Sequence, residues 1–158
     1  GELRHGDCLD LVEAVADDAV DLLLTDVPYW NMDRVAQTRN AARTRESKLG
    51  AFNDRESGSK AEWLDGMREA FAAFARVVRP RGYVVVFIGD MYRGGSFEFL
   101  GADLAGAIRA ADDAYVPKAN LVWYDPSKEL HVYGYPHSFV PSMVHQNVLV
   151  FRVEPDDP

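Results

Sequence analysis

The chain has 158 residues, 47% of them hydrophobic and 27% charged, the balance of one globular domain with a single core. Its apolar runs are strand-sized, so no membrane span is expected, and no basic-then-apolar leader marks a secretion signal. One cysteine excludes an internal disulfide framework, four scattered histidines argue against structural zinc, and the net charge of −8 argues at first against a nucleic-acid partner. A reducing, cytoplasmic setting is the expectation.

Residues 2–5 read as a short strand closed by Gly6-Asp7, and Asp10 to Glu13 as a capped helix start with Leu11, Val12 and Val15 apolar. Ala19 to Leu24 is a buried-strand run that stops at Thr25-Asp26-Val27-Pro28-Tyr29-Trp30. Segment 31–58 has no clear period and is read as a long inserted loop. Ser59-Lys60-Ala61-Glu62 is a capping-box pattern opening a strong helix, with Leu64, Met67, Phe71, Phe74 and Val78 on one stripe. Pro80 and Gly82 end it, and Tyr83 to Ile88 is a buried strand. Gly89-Asp90 and Gly94-Gly95 mark a loop, Leu100 to Ala111 a helix, and two strands follow near 119–124 and 147–153.

This alternation predicts an α/β domain over 1–158, a mostly parallel sheet with helices on both faces. Ligands bind such sheets beyond the carboxyl ends of the strands, and three acids stand there: Asp7, Asp26 and Asp90. An acid at such a place is often only a helix cap or a solvated turn. Three in one row favour a site. The charge is also uneven. Residues 31–60 hold seven Lys/Arg against four acids, a net +3, while the remainder carries −11. One basic segment thus sits on an acidic body, as a solvated loop or as a surface for phosphates.

Asp26-Val27-Pro28-Tyr29 sets a carboxylate, a rigid turn and an aromatic ring after an apolar strand. By itself this is a weak pattern, because strands often end in a proline turn. Its surroundings make it specific. With Gly6-Asp7-Cys8-Leu9 upstream, Val20 to Thr25 leading into the turn, Arg76 to Asp90 as the next helix–strand unit, and His145 to Arg152 as a last strand, the sequence resembles the amino-group DNA methyltransferases. The order is that of the permuted class, whose catalytic half comes first.

The resemblance implies a Rossmann-like methyltransferase fold, mostly parallel with an antiparallel C-terminal strand. It further implies S-adenosylmethionine as cofactor and DNA as partner. Asp26 and the main-chain carbonyl of Val27 would accept hydrogen bonds from the exocyclic amino group of a flipped adenine or cytosine, with Pro28 holding the turn and Tyr29 stacking on the base. Asp7, Cys8 and Asp26 would face the cofactor. A reactive-thiol role for Cys8 is the weaker reading, since no histidine lies close in sequence. Trp30 is either a second stacking platform or an anchor in the core. Arg34, Arg39, Arg43, Arg45 and Lys48 of the basic loop are placed to reach phosphates, while His137 and His145 face the target base or serve the structure.

The sequence departs from the family pattern at Val27, where proline is usual, and at Gln146, where glutamate is usual. It also has no Phe-x-Gly-x-Gly turn after the last strand. The strands of the glycine-rich half, expected between the strand before Asp7 and the strand before Asp26, are missing as well. An excised piece of a longer methyltransferase is expected, beginning at Gly1 without an initiator Met. One half of a split enzyme, whose second chain brings the glycine-rich turn, is a further reading. So is a compact domain whose two flanking strands pair directly. A non-catalytic nucleic-acid-binding or regulatory subunit, or an RNA methyltransferase, is the alternative function.

Overall fold

The computed structural model describes residues 1–28, 30, 59–93, 95–127 and 143–154. The basic loop, Tyr29, Gly94 and the stretch containing His137 lie outside the described residues.

The elements run α1 (Cys8–Val12), β1 (Val20–Asp26), α2 (Lys60–Val77), β2 (Val78–Ile88), β3 (Met91–Arg93), β4 (Ser96–Glu98), α3 (Leu100–Ala111), β5 (Tyr115–Tyr124) and β6 (His145–Val153). A four-stranded sheet is ordered β1-β2-β6-β5, and β3 and β4 form a separate hairpin. β1 and β2 are parallel, whereas β6 is antiparallel to both β2 and β5. This is the expected α/β sheet with its reversed C-terminal strand.

Local chemistry accounts for the helices. Ser59 Oγ accepts from the Glu62 N–H at 3.2 Å and Glu62 Oε2 accepts from the Ser59 N–H at 2.6 Å, the reciprocal bonds of a capping box. α2 buries Met67, Ala70, Phe71 and Val77 and passes directly into β2 at Val78. Arg81 at φ 66° and Gly82 follow. A Cβ on Gly82 would lie 2.8 Å from the Arg79 carbonyl and from Val78 Cγ1, so only glycine fits that bend. α1 starts earlier than the sequence predicts. Asp7, rather than Asp10, is its cap, because Asp7 Oδ1 accepts from the Leu9 N–H at 2.8 Å. Arg76 of α2 fastens the far end of α1, donating to the carbonyls of Val12 at 3.0 Å and Val15 at 3.1 Å and pairing with Asp17.

The three described helices pack on one face of the sheet. There Val84, Val86 and Ile88 of β2 and Leu149, Phe151 and Val153 of β6 meet Met67, Phe71, Leu100, Leu104 and Ile108. The buried Tyr115 hydroxyl donates to the Phe71 carbonyl at 2.7 Å, and burial pushes its pKa well up. The expectation of helices on both faces is not met among the described residues. On the opposite face, register places Leu22, Leu24 and Asp26 beside Tyr83, Val85 and Phe87, then Arg152, Val150 and Val148, then Val116, Ala119 and Leu121. Leu22, Leu24, Leu121 and Trp123 remain 52%, 60%, 54% and 50% exposed, which is unusual for a sheet whose interior should be dry.

A second correction concerns residues 2–5, which form no strand and are exposed. A strand needs a neighbour to satisfy its backbone groups, and none of the described strands pairs with this segment. β1 is an edge strand among the described residues, so the expectation of a doubly buried run at 19–24 fails on its open face.

Candidate active site

The parallel β1–β2 pair brings its carboxyl ends side by side, with Asp26 opposite Phe87. Asp26 is thus the last residue of an edge strand, yet partial desolvation raises its pKa above the ordinary carboxylate value. The chain then turns sharply inward. Val27 is 5% exposed and belongs to the core, while Pro28 returns to the surface. The Pro28 carbonyl accepts a hydrogen bond from the Trp63 indole Nε1–H at 2.9 Å.

Trp30 packs against the core cluster, and the guanidinium of Arg93 lies 3.8 Å from its ring centroid. Arg93 belongs to the β3–β4 hairpin, so that hairpin sits beside the turn. Together Asp26, Val27, Pro28, Trp30, Trp63 and Arg93 form one connected group. Neither Trp63 nor Arg93 carries a sequence signal for this role. Trp63 reads as one apolar position near a helix start, and Arg93 as a charge in a glycine-marked loop.

The other two acids of the expected row have structural partners, and Asp7 stands at no strand end, since residues 2–5 form no strand. Asp90 accepts from the Gly101 N–H at 2.9 Å through Oδ1 and from Asn147 Nδ2 at 3.1 Å through Oδ2. It supplies α3 with the side-chain acceptor that Phe99 at the N-cap position does not provide. Asn147 Oδ1 in turn accepts from Asn120 Nδ2 at 3.3 Å, which ties β5 to this corner. Asp7 caps α1, as described. Cys8 is half-buried, and burial, with help from the Asp7 carboxylate, pushes its thiol up. A neutral thiol is a poor nucleophile. His145 opens β6 opposite Tyr124, half-buried. Arg34, Arg39, Arg43, Arg45, Lys48 and Tyr29 lie outside the described residues.

The described residues do not by themselves fit S-adenosylmethionine. Asp7 Oδ1 is already engaged in its cap, and a Cβ on Gly6 would press on the Leu11 side chain at 3.3 Å, so this glycine serves packing. Gly95, at φ 86° with open space around it, belongs to the β3–β4 turn. A shallow cleft between α1 and α2, lined by Leu9, Val12, Glu13, Glu69, Ala73 and Arg76, includes none of the turn residues. No group of three or more His, Cys, Asp or Glu is placed to hold a metal among the described residues. No helix among them is long and apolar enough to cross a membrane.

No family model matches the sequence, and comparison with curated proteins finds no match. Solved structures do match. TTHA0409 of Thermus thermophilus, a putative DNA modification methylase by its published description, superposes with a TM-score of 0.63 at 17% identity over 97% of this chain and 54% of its own. Its structure complexed with S-adenosyl-L-methionine gives a TM-score of 0.62 at 17% identity, over 95% of this chain and 52% of that one. The cytosine-N4-specific PvuII DNA methyltransferase matches with a TM-score of 0.61 at 18% identity over 93% of this chain and 47% of its own. The chain therefore has the fold of part of a DNA modification methyltransferase and spans about half the length of these structures.

Proposed function

We propose that this chain is the catalytic part of an S-adenosylmethionine-dependent DNA amino-methyltransferase. The observation that carries the reading is the Asp26-Val27-Pro28 turn at the carboxyl end of an edge strand, in a sheet of methyltransferase order. An exocyclic amino group is a poor nucleophile because its lone pair is delocalised into the base. Two acceptors bonded to its two N–H groups draw the nitrogen toward a tetrahedral form with its lone pair free. Asp26 and the Val27 carbonyl are those acceptors, Tyr29 stacks on the flipped base, and Arg34, Arg39, Arg43, Arg45 and Lys48 grip phosphates. Val27 for proline leaves the acceptor intact, since every residue has a carbonyl.

The cofactor supplies the methyl group, and most of its site belongs to a second half that these residues lack. Asp7 and Cys8 contribute at most one wall. The open edge of β1 and the bare face around Leu22 and Leu24 support the view that another strand and its helix complete the fold there. That half comes from a further segment or a second chain carrying a glycine-rich turn.

The test is transfer of a labelled methyl group from S-adenosylmethionine to duplex DNA, with and without the completing half. Activity that depends on that half and is abolished by Asp26→Ala supports the reading. Labelling of RNA in place of DNA would redirect it to the RNA substrate. An assembled complex that binds DNA and transfers nothing would overturn it in favour of a non-catalytic nucleic-acid-binding subunit.

A further inference from the structure

The turn after β1 lacks its first proline, and its last described carbonyl is held from outside by α2. We infer that Trp63 is a positioning residue that sets the Asp26-Val27-Pro28 turn through its indole N–H. The inference rests on the methyltransferase reading for its consequence and on the described contacts for its substance.

The backbone from Val27 to Pro28 has four soft dihedrals. The ring of Pro28 fixes its own φ near −65° and confines ψ of the preceding Val27 to extended values. The φ of Val27 would be fixed by proline in the family pattern. Here the side chain of Val27 is buried in the core, which holds the residue by packing instead. The remaining freedom is ψ of Pro28, which orients the Pro28 carbonyl and the peptide that leads to Tyr29. The 2.9 Å bond from Trp63 Nε1 to that carbonyl removes it. Each of the four dihedrals then has an identifiable restraint.

Trp63 can do this only if it is itself fixed, and it is. It lies in the first turn of α2, where its N–H donates to the Ser59 carbonyl at 3.1 Å and the capping box sets the helix start. Its ring packs against the core cluster. The nearby Lys60 bridges Glu98 at 2.7 Å and Asp103 at 2.5 Å, fastening the start of α2 to β4 and α3. The turn is therefore referred to a rigid corner of the fold. A phenylalanine at 63 would keep an aromatic ring and lack the donor.

The experiment pairs Trp63→Phe with the double variant Trp63→Phe/Val27→Pro. In the isotope-labelled chain, the Trp63 indole N–H should exchange with solvent far more slowly than an exposed indole. Trp63→Phe should shift or broaden the Trp30 amide resonance. Methyl transfer by the completed enzyme should lose kcat on the order of 10- to 100-fold in Trp63→Phe, with KM for DNA nearly constant. Adding Val27→Pro should restore little of the loss, since it fixes φ of residue 27 and leaves ψ of Pro28 free; full rescue would move the missing restraint to residue 27 and overturn the proposal. A purely structural tryptophan would lower the melting temperature and leave kcat and the Trp30 resonance unchanged, which overturns the proposal. Rapid indole exchange overturns it as well. If the completed enzyme transfers no methyl group at all, the functional reading fails. The exchange and Trp30 resonance measurements on the chain alone then still decide whether Trp63 holds the turn.

Discussion

Asp26 is raised by partial desolvation, and the sign of that shift has two readable effects. In the proposed role of acceptor it must be ionised, so transfer should climb with pH through its raised pKa and reach its plateau later than an ordinary aspartate would allow. A rate profile in which the acidic limb sits at the usual carboxylate position would remove Asp26 from the chemistry. For stability the folded pKa exceeds the unfolded one. The group therefore favours folding fully below the unfolded value, and that contribution is lost as pH rises through the folded value. Asp26→Asn should gain melting temperature relative to the parent as the medium goes from acid to neutral. Cys8 offers a separate check. Its raised thiol should be alkylated more slowly at neutral pH than a free cysteine peptide, and fast labelling would contradict its burial beside Asp7. The Asp26-Val27-Pro28 turn is legible because an apolar run, an acid and a proline are neighbours in sequence. Trp63 is not, because its bond spans 35 residues and nothing local announces an indole donor.

The helices follow from local rules, and they are the most legible elements. α3 occupies Leu100–Ala111 as its periodicity indicates, and the Ser59 capping box opens α2 where the pattern places it. Ser59→Ala should destabilise the fold by about 1 kcal/mol, read by chemical denaturation. A loss near zero would mean that water caps the helix equally well. The strands are less legible at their margins. β5 begins at Tyr115 and β6 at His145, earlier than the apolar stretches suggest, because pairing resumes on both sides of a register irregularity between Pro117 and Ala119 and extends through the polar His145-Gln146-Asn147 once a neighbour is present. The hairpin of β3 and β4 falls where the sequence reads as loop, since two three-residue strands around Gly94-Gly95 carry no periodicity. The corner of Asp90, Gly101 and Asn147 illustrates how such ends are fixed. A Cβ on Gly101 would stand 2.9 Å from Asn147 Nδ2, so Gly101→Ala should push Asn147 off Asp90 and release β5 from α3. That substitution should lower the melting temperature more than Gly106→Ala, whose added Cβ meets open space.

For the whole molecule the decisive feature is asymmetry. Among the described residues, one sheet face is dry under three helices, and the other shows leucine and tryptophan to solvent. Sequence could not reveal this, because Leu22-Leu23-Leu24 reads the same whether its second face is covered or bare. The physics of covering that face predicts concentration-dependent self-association of the isolated chain. Leu22→Ser/Leu24→Ser should reduce it without lowering stability much, as seen by analytical ultracentrifugation. An isolated parent chain that stays monomeric at high concentration would show the exposed leucines to be tolerated as they are. The charge distribution makes a parallel statement. On the proposed function, replacing Arg39, Arg43 and Arg45 by glutamine should weaken DNA binding and flatten its salt dependence. An unchanged slope would make the basic loop a bystander.

The position of β6 has a consequence for biosynthesis. It is the last described strand in chain order, yet it lies inside the sheet, with β2 on one side and β5 on the other. A nascent chain that has emerged only as far as β5 can pair β1 with β2, but β5 has no partner there and an empty slot separates the two. The sheet closes only when residues 145–153 leave the ribosome, so the helices must wait over a half-built floor. Ribosome stalling before that point should leave a chain that chaperones hold and proteases cut, and a few residues more should change its fate.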